Sequence, residues 1–131
     1  VLTQGLEQLT AEGFIGQLFK TLGQYVAPPP GVASPALWGD QEWLADRFDS
    51  RGGGLEMTRK AFVFRYRSPE DFVEFFKRYY GPVHKAFAAL DETGGAALTT
   101  GILATIARFN SADDGTMRVP SEYAEVVVRK P

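Results

Sequence analysis

The chain has no cysteine, which excludes disulfides, thiolate metal sites and cysteine nucleophiles. It has a single histidine, and its carboxylates are scattered without metal-ligand or paired acid–base spacing, so no metal site is expected. No apolar run approaches the length needed to cross a bilayer. The first basic residue is Lys20, so the N-terminus lacks the basic region of a signal peptide and a cytoplasmic location is expected. Net charge is −2, which sets up no global field toward nucleic acid or anionic membrane. A glycine-rich nucleotide-binding turn is missing too. Gly52-Gly53-Gly54 is the only glycine cluster, and a phosphate cradle needs a strand before it and a helix start after it. Here a helix precedes and a strand follows, which makes the cluster a flexible loop.

What is present is enough for one globular domain. The chain has 131 residues, of which 44% are hydrophobic and 13% aromatic. A chain of this length buries about two-thirds of its unfolded surface. It starts at Val1 rather than Met, which fits an alternative start codon or a truncated reading frame.

Residues 10 to 24 read as a helix, with Phe14, Ile15, Leu18, Phe19 and Leu22 at helical spacing. Thr10 is the expected N-cap. Gly13, Gly16 and Gly23 weaken this segment, each costing roughly 1 kcal/mol relative to alanine; such glycines let another backbone or a ligand come close. Pro28-Pro29-Pro30-Gly31 stops it and imposes an extended segment. Ser34-Pro35 starts a short turn carrying Leu37 and Trp38, and Asp40 caps a helix over about 41 to 48.

Residues 55 to 67 form a predicted strand around Phe62-Val63-Phe64. Ser68-Pro69-Glu70-Asp71 then starts a helix that runs to Tyr80, where Gly81-Pro82 ends it. Further helices are expected over about 83 to 90 and 95 to 109, and a closing strand over 117 to 129. Two strands alone do not make an independently stable sheet. Either the helices cover one face of the pair, or another chain completes it.

The stretch from Ala61 to His84 concentrates the candidate chemistry. Phe72, Phe75 and Phe76 recur at helical spacing and belong to the core. Tyr80 and Trp38 abut glycine and proline corners, where pocket rims form. His84 follows the Tyr79-Tyr80-Gly81-Pro82 corner and is the candidate general base, a role that needs a nearby pocket and an orienting partner. Asp91 is seven residues further on, sharing a helix face but out of direct reach. A solvated or core-edge histidine is the competing reading. Arg59, Lys60, Arg65, Arg67, Lys77 and Arg78 make a basic patch interleaved with aromatics. Such a patch suits single-stranded nucleic acid, but Glu70, Asp71 and Glu74 dilute it, and a solvated face is favoured.

Several segments taken in order carry a resemblance. Glu12-Gly13-Phe14-Ile15-Gly16-Gln17-Leu18-Phe19, Pro28-Pro29-Pro30-Gly31-Val32 and Ser34-Pro35-Ala36-Leu37-Trp38-Gly39 come first. Phe64-Arg65-Tyr66, Ser68-Pro69-Glu70, Tyr79-Tyr80-Gly81-Pro82, His84-Lys85-Ala86-Phe87 and Pro120-Ser121-Glu122-Tyr123 follow. Over residues 10 to 129 the wording resembles the C-terminal half of class I S-adenosylmethionine-dependent methyltransferases, in the ubiquinone/menaquinone-biosynthesis-type branch. Val1 to Leu9 departs from that family's strand wording.

The resemblance implies an α+β fragment of a seven-stranded, Rossmann-like α/β sheet. Residues 55 to 67 would be its sixth strand and 117 to 129 its seventh, paired antiparallel and covered by about five helices. The glycine-rich loop and acidic ribose contact belong to the half that precedes this region. S-adenosylmethionine is therefore the implied cofactor, yet this chain alone is not expected to bind it or to be active. The acceptor would be a small molecule, with Trp38 and Tyr80 shaping its pocket and His84 as base. A homodimer or the missing half would shield the apolar sheet surface. The alternative is a non-enzymatic binding or interaction module with an aromatic-lined apolar pocket; neither reading involves nucleic acid or membrane.

Overall fold

A computed structural model describes residues 3–48 and 54–129. Its elements are β1 (Thr3–Leu9), α1 (Phe14–Tyr25), a 3-10 turn (Pro35–Gly39), α2 (Gln41–Phe48), β2 (Gly54–Tyr66), α3 (Pro69–Tyr79), α4 (Gly81–Ala88), α5 (Glu92–Phe109) and β3 (Met117–Arg129). It is a small α+β arrangement with five α-helices among the described residues. The two expected strands are present and antiparallel, running in register from Gly54↔Arg129 to Tyr66↔Met117.

The sheet differs from expectation by one strand. β1 pairs with the other side of β3, antiparallel, from Thr3↔Arg129 to Leu9↔Tyr123, giving the order β1-β3-β2. Both outer strands are antiparallel to β3, so β1 and β2 run parallel with β3 between them. The physical cause is β3 itself: thirteen residues, Met117–Arg129, with Val126-Val127-Val128 before the last, present backbone groups on both edges, and a single partner satisfies only one edge.

Helices cover opposite faces of the sheet at opposite ends. Met117 and Val119 of β3, with Phe64 and Tyr66 opposite them on β2, join Phe14, Leu18, Phe72, Leu98 and Ile102 in the main core. Ala124 and Val126, each seven positions beyond Met117 and Val119 respectively and so of opposite parity, pack on Leu44 of α2 in a second, smaller core with Met57 and Val128. Side chains alternate across a strand, so one long strand serves both layers. In the main core Phe14 is fully buried. Its ring lies 5.5 Å from Phe72, 5.7 Å from Phe109 and 5.8 Å from Phe64. Thr21 and Thr105, both buried, share a 2.7 Å hydrogen bond that ties α1 to α5.

Helix starts shift from the expected positions for local reasons. α1 begins at Phe14, with Gly13 as its N-cap. Thr10 instead accepts from the Gly13 amide through Oγ1 at 3.2 Å and donates to Glu122 Oε1 at 3.0 Å. α4 starts at Gly81, because Pro82 suits a first turn as well as it ends α3. α5 starts at Glu92 rather than 95, capped by Asp91, whose carboxylate accepts from the Gly94 amide at 2.7 Å. The caps at Asp40 and Ser68 are as expected, accepting from Trp43 and Asp71 amides at 2.9 and 3.1 Å. Gly52 and Gly53 lie outside the described residues; Gly54 opens β2.

Candidate functional site

The corner between α3 and α4 is built by its sequence. The Tyr80 amide closes α3 by donating to the Phe76 carbonyl at 2.9 Å, and the His84 amide donates to the Tyr80 carbonyl at 2.9 Å, starting α4. This kink folds the His84 ring back onto the last turn of α3. There Nδ1 lies 3.0 Å from the Lys77 carbonyl oxygen, one of the carbonyls that a helix end leaves without an intrahelical donor. A carbonyl only accepts, so a hydrogen bond here requires the proton on Nδ1, the tautomer that leaves the lone pair on Nε2. No described residue hydrogen-bonds Nε2.

His84 stands in the wall of an open groove of about 960 Å³, shared with Tyr66, Phe75, Tyr79 and Phe87, the charged residues Arg65, Arg67, Lys77 and Arg78, and Asp71 and Glu74. Phe72 and Phe76 are buried in the main core as expected, but Phe75, expected with them, lies on the outer side of α3 at 48% exposure; Tyr79 is 64% exposed and the two rings lie 4.9 Å apart. An imidazole held by one nitrogen beside exposed rings has the geometry to take a proton from a bound hydroxyl through the other. The orienting partner is the helix's own carbonyl. Asp91 is occupied as the α5 cap.

The other two candidate residues are placed elsewhere. Tyr80 is half-buried against the main core, its ring 4.8 Å from Phe76 and 6.5 Å from Phe19. Burial raises its hydroxyl pKa above the ordinary 10.0. Trp38 sits on the 3-10 turn, edge-on to Trp43 at 5.2 Å, where its neighbours Leu37 and Gly39 line a second cleft with Glu12, Asp40, Glu42 and Arg59. The structure thus does not bring Trp38, Tyr80 and His84 into one pocket. Phe75 and Phe87 are groove residues that the sequence did not mark as a site; Arg65 was read only as part of a solvated basic patch, and of the two tyrosines that could hydrogen-bond a substrate the groove takes Tyr79 rather than Tyr80. Tyr79 adjoined the chosen Tyr80, and the α3 period alone did not say which tyrosine faces out.

The basic patch divides. Arg59 pairs with Glu122 at 2.5 Å and Lys60 with Glu125 at 2.7 Å, while Arg65, Arg67, Lys77 and Arg78 reach the groove. Among the described residues no cluster of His, Asp and Glu could hold a metal ion, and no helix is long and apolar enough to cross a membrane.

Among the described residues, the strand-to-helix turn that carries glycines, Leu9 to Gly16, is filled by the chain itself. A Cβ on Gly13 would meet the Glu122 carbonyl oxygen and Thr10 Oγ1 at 2.7 Å, and one on Gly16 would run into the carbonyl oxygens of Thr10 and Ala11. These glycines admit the chain's own backbone, so no cradle is open there.

No known protein-family profile matches the chain. It is similar to the uncharacterized protein Rv1403c of Mycobacterium tuberculosis, 27% identical over 86 residues, which are 64% of this chain and 31% of that protein. A second uncharacterized protein of the same organism, Rv1405c, is 28% identical over 92 residues, 69% of this chain and 34% of that protein. Uncharacterized proteins of Mycobacterium bovis match to the same extents. The chain spans about a third of the length of the curated relatives it matches.

Proposed function

We propose that this chain is the acceptor-substrate-side portion of an S-adenosylmethionine-dependent methyltransferase acting on a small molecule, and that it is inactive without a cofactor-binding half. The observation that carries the reading is the sheet. β1 and β2 are parallel strands separated by an antiparallel β3, helices lie on both faces, and among the described residues β1 is paired on one edge alone. Parallel strands covered on both faces belong to α/β sheets, which often carry one antiparallel strand. The resemblance over residues 10 to 129 supports the same assignment, with β2 and β3 as the sixth and seventh strands. Relatives about twice as long as this chain, in which the matched 86 and 92 residues are 31% and 34%, leave room for the remaining strands and the cofactor site.

In this reading the chain's own contribution is to bind and orient the acceptor and to hold a proton. His84 Nε2 takes the proton of an acceptor hydroxyl, and the Lys77 carbonyl keeps the ring in the tautomer that can do so.

Amide hydrogen exchange of β1 tests the assignment. Extended by its in-frame upstream coding sequence, the protein should protect every β1 amide; the present chain should protect only those bonded to β3. Equal exchange of the outward amides in both would overturn the reading. Protection in the present chain that rises with its concentration would mean that a second copy covers the edge instead.

The exposed rings beside His84 favour a second reading, a non-enzymatic module that binds an apolar ligand. It predicts ligand binding by this chain with no gain from upstream sequence.

A further inference from the structure

The groove beside His84 carries charge opposite to that of the whole molecule. The chain's net charge is −2, yet Arg65, Arg67, Lys77 and Arg78 line the groove against only Asp71 and Glu74. Asp71 already lies 3.4 Å from Arg67 Nε. Lys77 Nζ lies 5.0 Å from the centroid of the Phe87 ring, and the Arg78 guanidinium 5.4 Å from that of Tyr79. A ring face steadies a cation without cancelling its charge. Arg65 has no ion pair or hydrogen bond among the described residues. Two cations seated on rings and one without a partner therefore border the same open space.

We propose that this groove binds a small amphipathic anion: a flat aromatic or apolar body bearing one carboxylate. Phe75, Tyr79 and Phe87 supply ring faces and edges for the body. The guanidinium forks of Arg65 and Arg78 match a carboxylate's two oxygens in a way an ammonium does not. A groove of about 960 Å³ is on the scale of small-molecule sites. The Nε2 lone pair of His84 adds an acceptor, so a hydroxylated aromatic carboxylate is the most complementary ligand. A nucleic-acid strand fits less well. It needs a continuous basic track, and Arg59 and Lys60, which would extend the track along β2, are paired with Glu122 and Glu125. The binding assignment stands on the groove alone; that the anion is also the methyl acceptor rests on the methyltransferase reading.

The test is an NMR titration of the isotope-labelled chain with 2-naphthoate, 6-hydroxy-2-naphthoate and, as the neutral control, 2-naphthalenemethanol. Both acids should shift amides at the end of β2 and in α3 and α4, with the hydroxy acid binding more tightly. The alcohol should bind about tenfold more weakly, the low end for losing a charge-assisted hydrogen bond at an exposed site. Arg65→Gln and Arg78→Gln should each weaken 2-naphthoate severalfold without changing the thermal midpoint, and His84→Asn should abolish the preference for the hydroxy acid. Equal affinity for acid and alcohol, shifts confined to other regions, no binding up to the solubility limit, or full affinity in both arginine variants would overturn the proposal. None of these measurements involves S-adenosylmethionine, so failure here is distinguishable from failure of the methyltransferase reading.

Discussion

Replacing His84 separates its structural contact from its chemistry. In His84→Ala the Lys77 carbonyl loses the donor 3.0 Å away. The site is exposed, so water replaces that donor in part, and a single hydrogen bond of this kind contributes about 0.5–1.5 kcal/mol. Unfolding entropy near the midpoint is about 2.1 cal/mol/K per residue, or about 0.28 kcal/mol/K for 131 residues. The midpoint should therefore fall by roughly 2–5 °C in a calorimetric or circular-dichroism melt. His84→Asn is the informative partner. The asparagine amide nitrogen occupies about the position of Nδ1 and donates to the same carbonyl, so most of the lost stability should return. It offers nothing at the position of Nε2, so proton acceptance from a bound hydroxyl should not return. Two results would refute the reasoning: a His84→Ala variant as stable as the wild type, or a His84→Asn variant no more stable than His84→Ala.

Three further predictions follow from the core and its edges. Phe14→Ala removes a fully buried ring with three aromatic neighbours and should cost about 3–5 kcal/mol. Phe62→Ala, at a site 57% exposed with one neighbouring ring at 5.0 Å, should cost under about 1 kcal/mol; similar losses in urea titrations would contradict the layer assignment. Gly16→Ala places a methyl against the backbone carbonyls of Thr10 and Ala11, so the usual helical gain of alanine should reverse to a measurable loss of stability. Burial raises the Tyr80 pKa above 10.0, so its neutral form contributes stability that is complete below about pH 10 and fades as pH rises through the folded-state value. Tyr80→Phe should flatten the alkaline decline of the denaturation midpoint, and an unchanged slope would sink the assignment.

The strongly punctuated parts of the chain were legible in its sequence. Ser68-Pro69 and Asp40 capped the helices expected of them, Pro28-Pro29-Pro30 ended α1's segment, and the β2–β3 pairing followed from two apolar, β-branched stretches. β1 was not legible. Thr3–Leu9, TQGLEQL, has one β-branched residue, and its strand state comes from the free edge of β3 rather than from its own propensity. Thr10 looked like a helix cap because local chemistry cannot show that Glu122, 112 positions away, shares its hydroxyl. His84 was named from its place after the Tyr-Gly-Pro corner, and the structure puts it in the wall of the groove. The Lys77 carbonyl that its ring meets escaped notice because a backbone carbonyl has no sequence signature. Tyr80 and Trp38 are both at corners, as read, but their rings are taken by Phe76 and Trp43. The choice between Tyr79 and Tyr80 depended on the rotational setting of α3 on the sheet, which is a tertiary quantity.

Isothermal titration with S-adenosylmethionine tests the central claim most directly, comparing this chain with the same chain extended by its in-frame upstream coding sequence. The account predicts saturable one-to-one binding to the extended protein and no heat of binding with the present chain. Binding of equal strength to both, or none to the extended protein, would contradict it.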